Sequence, residues 1–306
     1  MKILLFGRNG QVGWELQRSL APLGDLVALG SQRDCNPQVQ GRALNGDFMQ
    51  PEGLIETIRT VRPHVIVNAA AYTAVDNAET DVSSARMVNA EAVSVLAQEA
   101  QRNGATLVHY STDYVFDGSG EQPWRESDAT DPLNAYGKTK LESELAIQQH
   151  CQRYLIFRTS WVYAARGGNF AKTILRLGKE REVLTVIDDQ HGAPTGAELI
   201  ADVTAHAIRQ LNKEPALAGL YHLVAGGETT WHGYASHVLE YARKKGVAVR
   251  VPSEAIAPVP SSAFPTPAAR PCNSRLDTSK LQRSFGLKLP DWQTGVERML
   301  TEILVS

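Results

Sequence analysis

Cysteine is scarce in this chain of 306 residues, and its three cysteines lie far apart. Cys35, Cys151 and Cys272 form no CxxC pair, which argues against a disulfide framework and against a thiolate zinc site. Free thiols at such spacing fit a reducing compartment. We therefore expect a cytoplasmic protein.

Long hydrophobic runs and an excess of one charge are also missing. The 31 basic and 33 acidic side chains give a net charge of −2, which argues against nucleic acid or an anionic membrane as a partner. The apolar stretch ILLF after Lys2 is too short for a signal peptide or a membrane span. The eight histidines show neither HxH nor HExxH spacing, so a metal-hydrolase site is not expected.

Short apolar runs alternate with amphipathic segments through the first half of the chain. Amphipathic spacing predicts helices between these runs, among them one long helix over 76–102 that ends at Asn103-Gly104. Such alternation predicts an α/β fold, a Rossmann-like doubly wound parallel sheet. The apolar runs predict buried strands at 3–6, 26–29, 65–67, 106–110 and 154–157.

The alternation breaks past residue 160. We expect an NAD(P)-binding Rossmann domain over 1–160 and a smaller C-terminal lobe, mainly substrate-binding, over 161–306, with parts of 183–225 returning to the first domain. A proline-rich segment at 257–271 fits an ordered lining loop as well as a linker. Helices in this half are predicted at about 170–181, 197–211 and 231–245.

Three glycines at a spacing of three, Gly7, Gly10 and Gly13, follow the first predicted strand directly. Glycine allows a sharp turn, a close approach of backbone to a pyrophosphate, and tight packing of the next helix on its strand. The helix N-terminus supplies free N–H groups to the phosphates. The loop predicts a dinucleotide cofactor, and GxxGxxG is typical of short-chain dehydrogenases/reductases.

The segments after the next two predicted strands indicate which dinucleotide binds. An NAD site usually has an acidic residue after the second strand, but this chain has Gly30 there, with Arg33 and Arg8 nearby. The absence of a carboxylate and the presence of nearby guanidinium groups favour NADPH as the cofactor, with NADH as the alternative. Asp47-Phe48 is expected beside the adenine, and the small residues within 68–72 allow close approach of the cofactor.

The stretch NAYGKTK places Tyr136 and Lys140 four residues apart, on one helix face. Thr112 ends a predicted strand, where open α/β sheets bind ligands. Together they suit ketone reduction: Tyr136 gives the proton, Thr112 holds the substrate oxygen, and Lys140 lowers the pKa of the phenol and binds the nicotinamide ribose. Singly, each residue also fits an ordinary structural role.

Motifs along essentially the whole chain resemble the dTDP-4-dehydrorhamnose reductase family of extended short-chain dehydrogenases/reductases. The glycine loop and the Tyr/Lys pair are shared across that superfamily, whereas STDYVFDG with DQHGAPT is more specific. The stretches that carry the resemblance are GRNGQVGWEL (7–16), VNAAAYTAVDNAE (67–79), STDYVFDG (111–118), PLNAYGKTKLESE (132–144), FRTSWVY (157–163), GNFAKT (168–173), DDQHGAPTGAEL (188–199) and LPDWQTGV (289–296).

The resemblance implies NAD(P)H-dependent reduction of the C4 keto group of dTDP-4-dehydro-L-rhamnose, for cell-surface polysaccharide such as O-antigen. The sugar nucleotide would contact Thr112, Asp113, Tyr136 and Trp161, with Asn169 and Arg270 as further contacts. The cofactor would contact Gly10, Gln11, Val12, Asp47, Phe48, Ala71, Tyr72, Thr73 and Tyr110.

The resemblance also implies a homodimer and magnesium held by Glu15, Glu198 and Glu302, although these glutamates equally fit solvated helix charges. The chain departs from the family at Gly30, where members often carry an acid, and this agrees with NADPH. Two alternatives remain at this point. One is a nucleotide-sugar 4-epimerase or dehydratase of the same superfamily, and the other is a non-catalytic, NADP-binding regulatory subunit.

Overall fold

The computed structural model describes residues 1–32, 36–39 and 41–305. The strands are β1 (Lys2–Phe6), β2 (Asp25–Leu29), β3 (Gln38–Val39), β4 (Arg42–Ala43), β5 (Val65–Asn68), β6 (Thr106–Thr112), β7 (Tyr154–Thr159), β8 (Val162–Tyr163), β9 (Leu184–Ile187), β10 (His191–Gly192), β11 (Thr195–Gly196), β12 (Gly219–His222), β13 (Thr229–Thr230) and β14 (Ile256–Val259). The α-helices are α1 (Gln11–Leu20), α2 (Pro51–Val61), α3 (Val75–Ala78), α4 (Val82–Arg86), α5 (Ala92–Asn103), α6 (Ala135–His150), α7 (Phe170–Glu180), α8 (Ala197–Leu211), α9 (Trp231–Lys244), α10 (Ser279–Phe285) and α11 (Trp292–Val305).

Six parallel strands form the central sheet in the order β12-β7-β6-β5-β1-β2. Strand β1 lies between β2 and β5, with Leu4 opposite both Val27 and Ile66. The five apolar runs of the first half all lie in this sheet. The predicted Rossmann-like fold class is confirmed.

Alternate side chains of each strand pack on opposite faces of the sheet, because successive residues of a strand point to opposite sides. Ile3 and Leu5 of β1 join one apolar core with residues of α1 and α8. Leu4 and Phe6 join a second core with residues of α2 and α5. Helices therefore cover both faces, and the strand ends are left to form a site.

The prediction of one continuous helix over 76–102 is wrong, because the structure divides this range into separate helices. Helices α3 and α4 are separate, and a π-helical turn, Met87–Glu91, precedes α5. Asp81 caps α4 by accepting the Ser84 N–H at 3.2 Å, which starts a new helix at that point. The end of α5 is as predicted, since Gly104 has a φ of +63° and closes the helix.

Helices α7, α9 and α11 share a third core in the second half of the chain. Two elements from this half return to the sheet: β12 pairs with β7, and α8 packs on α1. The proline-rich segment begins as β14, which pairs with β9. The division into domains at residue 160 stays a prediction. Within the described ranges, every helix is too short or too polar to cross a membrane.

Candidate active site

The glycine loop turns between β1 and α1 with no space for larger side chains. Gly7 has a φ of +82°, and a Cβ there would lie 2.5 Å from the backbone of Ala69 and Ala70. A Cβ on Gly13 would lie 2.0 Å from the Gly7 carbonyl oxygen. A Cβ on Gly10 would meet only the Gly7 carbonyl oxygen, at 3.5 Å, so the outer side of Gly10 is open to a ligand.

A cleft of about 380 Å³ runs along this loop and the ends of β2 and β5. Gln11 donates from Nε2 to the Gly168 carbonyl at 2.8 Å, and its buried Oε1 has no donor among the described residues. Val12 packs against the core. A glycine-lined cleft at a helix N-terminus fits a dinucleotide. Its lining is Gly7, Asn9, Gly10, Gly30, Ser31, Gly46, Asp47, Phe48, Met49, Ala69, Ala70, Ala71 and Val88.

The nearest neighbours of Gly30 are flexible side chains, so the structure accommodates glycine there without requiring it. A Cβ at this position would lie 2.8 Å from the Asn9 side-chain amide and 3.7 Å from Nε of Arg8. Arg8 also donates from Nη1 to the Ala28 carbonyl at 3.1 Å, so its guanidinium lies at the end of β2. Arg33, the other predicted cation, lies outside the described residues.

Of the remaining predicted cofactor contacts, Asp47, Phe48 and Ala71 line the cleft. Phe48 packs edge-on against Phe6, with ring centroids 5.5 Å apart, and the Asp47 carboxylate accepts the Met49 N–H at 3.0 Å. Tyr110 directs its hydroxyl towards α8, where it lies 2.8 Å from Thr204 Oγ1. Near the site, Tyr110 therefore contributes its backbone carbonyl and not its side chain.

Ala71, Tyr72 and Thr73 follow β5, and the π-helical turn holds this segment in place. Asn89 accepts the Tyr72 N–H at 2.8 Å and donates to the Tyr72 carbonyl at 3.1 Å. Asn89 also donates to Thr139 Oγ1 on α6, at 3.2 Å. This residue, which the sequence analysis missed, thus connects the cleft to the helix that carries Tyr136.

Thr112 and Asp113 lie buried at the end of β6. The Thr112 hydroxyl donates to Asp113 Oδ1 at 3.0 Å and accepts the Tyr114 N–H at 3.1 Å. Burial raises the pKa of the Asp113 carboxyl to about 6, although hydrogen bonds with Ser274 and Thr112 oppose this. A carboxylate oxygen can accept more than one hydrogen bond, so the buried Asp113 Oδ2 can also accept one from a ligand.

Tyr136 begins the catalytic face of α6, next to this pair. Asn134 caps the helix by accepting the Gly137 N–H at 2.8 Å, and the Tyr136 ring lies edge-on to Tyr114. Burial raises the pKa of the Tyr136 phenol, the Asp113 charge raises it further, and a hydrogen bond with Thr112 lowers it. The free protein therefore holds this phenol firmly protonated.

Lys140 is 2% exposed, whereas Lys138 on the other face is open to solvent. The Lys140 Nζ donates to the Tyr110 carbonyl at 2.6 Å and lies 3.0 Å from His109 Nε2. Burial lowers the pKa of Lys140 to about 7, and the Glu144 charge partly offsets this. Burial is the largest cause of the pKa shift of both groups in the free protein, and that Lys140 lowers the pKa of Tyr136 stays a prediction.

Trp161 has the left-handed φ of +49°, unusual for a large side chain. Its indole stacks on Trp231 with ring centroids 3.7 Å apart, and the Trp231 Nε1–H donates to Gln190 at 3.0 Å. Gly192 packs so closely that a Cβ would lie 2.8 Å from the Trp161 ring. The sequence suggested Trp161 but not its aromatic partner, because nothing in the spacing joins positions 161 and 231.

Asn169 and Arg270 already have protein partners. Asn169 caps α7, accepting the Lys172 N–H at 3.1 Å and donating to the Ala164 carbonyl at 2.7 Å. Arg270 donates to the Asp76 carboxylate at 2.7 Å. Their predicted contacts with substrate stay predictions.

The three predicted metal ligands, Glu15, Glu198 and Glu302, do line one cavity, of about 410 Å³, with Trp14, Gln17, Arg18 and Arg298. Two of them are near arginines: Glu15 is 3.5 Å from Arg18, and Glu198 is 3.4 Å from Arg298. Across the described part of the chain, His, Cys, Asp and Glu form no group of three that could hold a metal ion. The structure gives magnesium no support.

Buried hydroxyls at the ends of β6 and β7 extend the site beyond the predicted residues. The hydroxyl oxygens of Ser111, Thr159 and Ser160 have no hydrogen-bond partner among the described residues. Such groups in native proteins usually have partners. They lie in or beside the recognised stretches STDYVFDG and FRTSWVY, but nothing in those letters shows which hydroxyls point inward.

Comparison with known families places the whole chain in one group. The family described as "RmlD substrate binding domain" matches residues 1–305. A dTDP-4-dehydrorhamnose reductase of Salmonella typhimurium is 59% identical over 306 residues, which is 100% of this chain and 99% of that protein.

Comparison with solved structures points to the same family. A crystal structure of a dTDP-4-dehydrorhamnose reductase from Clostridium acetobutylicum superposes with a TM-score of 0.88 at 32% identity, covering 99% of this chain and 100% of that one. The enzyme of the same name from Bacillus anthracis, in complex with NADP, has a TM-score of 0.83 at 32% identity, covering 98% and 99%.

Proposed function

The chain belongs to the family of the dTDP-4-dehydrorhamnose reductases, NAD(P)H-dependent oxidoreductases of dTDP-rhamnose biosynthesis, and we propose that Tyr136, Lys140 and Thr112 carry this reaction. The reaction reduces the C4 keto group of dTDP-4-dehydro-L-rhamnose to the alcohol of dTDP-L-rhamnose. The main support for this proposal is the cluster that the Thr112 hydroxyl, the Tyr136 phenol and the Lys140 amine form at the end of β6. Hydrogen bonds join it to the cleft wall, from Lys140 through His109 and Asn68 to the Ala70 N–H.

The bound nicotinamide supplies the hydride. Tyr136 gives its phenolic proton to the C4 oxygen as negative charge builds there, while the Thr112 hydroxyl turns from Asp113 Oδ1 to donate a second hydrogen bond to that oxygen. Because the phenol is firmly protonated in the free protein, Tyr136 is loaded as the acid before substrate enters. Asp113 Oδ2, which has an unused acceptor position, is assigned to a sugar hydroxyl.

The proposed cofactor site is the cleft along the glycine loop. Gly7 and Gly13 allow the tight turn, Gly10 leaves backbone exposed to the pyrophosphate, and Phe48 lies where the adenine would pack. Arg8 at the end of β2 supports a 2′-phosphate and hence NADPH rather than NADH. The stacked Trp161 and Trp231 rings are proposed to bind the sugar nucleotide.

Turnover with a matched tyrosine control tests the residue assignment. Tyr136→Phe should lower kcat by about 10²- to 10⁴-fold, because the proton donor is lost, while the Kd for NADPH stays unchanged. Tyr114→Phe removes a phenol whose ring lies 5.8 Å from that of Tyr136 and should keep kcat within several-fold. Equal loss in both variants would contradict the assignment.

Stoichiometry separates the reductase from the two alternatives of the sequence analysis. A reductase consumes one NADPH per keto-sugar, whereas an epimerase or dehydratase regenerates its cofactor and a regulatory subunit consumes none. Falling absorbance at the reduced-nicotinamide band, in step with dTDP-L-rhamnose formed, is the expected result.

The homodimer and the cytoplasmic location are kept as proposals. They rest on the resemblance and on the scarcity of cysteine, respectively. Light scattering on the eluted protein and fractionation of cells test them separately.

A further inference from the structure

A carboxylate outside the predicted site holds the start of the helix that carries Tyr136. Glu79 directly follows α3, and its Oε1 accepts the Ala135 N–H at 2.7 Å. Ala135 is the first residue of α6 and directly precedes Tyr136. The first N–H groups of a helix have no acceptor within that helix, and a carboxylate suits them because it is also attracted to the positive end of the helix dipole.

Two further contacts restrict the first turn of α6. Asn134 accepts the Gly137 N–H at 2.8 Å. Gly137 packs so closely on the preceding segment that a Cβ there would lie 2.2 Å from the Tyr114 carbonyl oxygen. Both contacts involve Gly137, which follows Tyr136, whereas Glu79 holds the residue before it. The backbone is therefore fixed on each side of the proposed proton donor.

Helix α3 continues directly from the segment that borders the cofactor cleft. Ala71 lines the cleft, and the Val75 N–H donates to the Thr73 carbonyl at 2.9 Å where the chain enters α3. Among the described residues, Glu79 has no ion-pair partner, so charge pairing does not account for its position. Its carboxylate instead joins the wall of the cofactor cleft to the first turn of α6.

A small rotation of that turn is enough to affect catalysis. Cα atoms lie about 2.3 Å from a helix axis, and a tyrosine hydroxyl extends roughly 6 Å further, so a rotation of about 10° displaces the hydroxyl by up to about 1.4 Å. A displacement of about 1 Å at the reacting groups can lower a rate about 100-fold. One hydrogen bond at Ala135 can therefore control turnover while the fold is kept.

We propose that Glu79 is a positioning residue, which fixes the first turn of α6 against α3 and thereby directs the Tyr136 hydroxyl towards the substrate carbonyl. This inference deepens the proposed function and rests on it. Lys140, one turn further along α6, is held separately by the Tyr110 carbonyl at 2.6 Å. Loss of the Glu79 carboxylate should therefore disturb the proton donor and leave cofactor binding intact.

Nuclear magnetic resonance on the free protein tests the contact without any turnover. A hydrogen bond to a carboxylate is short and strong, so the Ala135 amide proton should resonate downfield in ¹⁵N-labelled protein. In Glu79→Ala, this signal should move upfield, and its exchange with solvent should become about tenfold faster. An Ala135 amide with the same shift and exchange rate in both proteins would overturn the proposal, whatever the outcome for the proposed reaction.

Steady-state kinetics separate positioning from packing. Glu79→Ala should lower kcat about 10- to 100-fold, while KM for the sugar nucleotide and Kd for NADPH stay within about twofold. Glu79→Gln keeps an acceptor oxygen for the Ala135 N–H and should retain kcat within about threefold. If Glu79→Gln is as slow as Glu79→Ala, the bond to Ala135 is not the cause of the loss, and the proposal fails.

A carboxylate at the start of another helix provides the matched control. Asp277 Oδ1 accepts the N–H of Ser279, the first residue of α10, at 2.8 Å. Asp277→Ala removes a bond of the same kind and should lower Tm, as Glu79→Ala does, but it should leave kcat unchanged. An equal loss of kcat in the two variants would assign the effect to lost stability and refute the role of Glu79.

Discussion

The buried carboxyl of Asp113 should cost the free protein stability at neutral pH, and Asp113→Asn should recover it. Asp113 is 2% exposed, and burial raises its pKa from 3.8 to about 6. A group whose pKa is raised by folding binds more protons in the native state between these values, so stability falls as pH rises from about 4 to about 6. Two pKa units correspond to about 3 kcal/mol.

The assay compares thermal unfolding of both proteins at two pH values. Of this 3 kcal/mol, about 2 kcal/mol is lost between about pH 4.5 and about pH 7.5. Asp113→Asn keeps the Oδ1 acceptor for Thr112 and lacks the charge. The Tm of Asp113→Asn relative to the unmodified protein should therefore rise by about 3 °C between the lower and the higher pH.

A matched control lies on the same segment. The Asp117 carboxyl accepts the Ser119 N–H at 2.8 Å, and this bond lowers its pKa, so folding favours its charge. Asp117→Asn should lose stability relative to the unmodified protein as pH rises, the opposite direction. If the Tm difference for Asp113→Asn is the same at both pH values, the carboxyl is not penalised by burial, and the reasoning fails.

Three further predictions concern the cofactor, the substrate and the core. Arg8→Ala should lower kcat/KM for NADPH about tenfold more than for NADH, since a charged hydrogen bond to the 2′-phosphate is lost; steady-state kinetics with both donors measure this. Trp231→Ala should raise KM for the sugar nucleotide about threefold to tenfold while the Kd for NADPH, measured by titration, is unchanged. Glu144→Gln leaves buried Arg158 without a counter-charge and should cost about 3 to 5 kcal/mol in urea unfolding, whereas Glu142→Gln in an exposed pair should cost under about 1 kcal/mol.

Local patterns predicted what depends on neighbours in sequence. The apolar run at 65–67 identified β5, and glycines three apart identified the turn after β1, because strand burial and tight turns are local requirements. The break in the helix between 76 and 102 was missed although its cause is local, since Asp81 accepts the Ser84 N–H three positions on and starts α4. The π-helical turn has a partner distant in sequence: Asn89 bonds to the Tyr72 backbone, a contact that helical periodicity does not encode.

The same distinction holds within the site. A spacing of four placed Tyr136 and Lys140 on one face, but it could not show that Lys140 is buried. That burial depends on β6, and the partner of Lys140 is His109, thirty-one positions away. The lowered pKa of Lys140 therefore depends on the assembled fold, which the sequence pattern does not encode.

The cap of the catalytic helix has a consequence for exchanging parts between related enzymes. Asn134 caps α6 with its oxygen, and its amide nitrogen donates to the Ala269 carbonyl at 2.8 Å. The neighbouring Arg270 is bound to Asp76, so a late segment is fastened to early ones at the start of the helix that presents Tyr136. A chimera that imports a foreign C-terminal half to accept a new sugar must therefore keep residues 268–270 from the host, or the imported half will also displace Tyr136, the proposed proton donor.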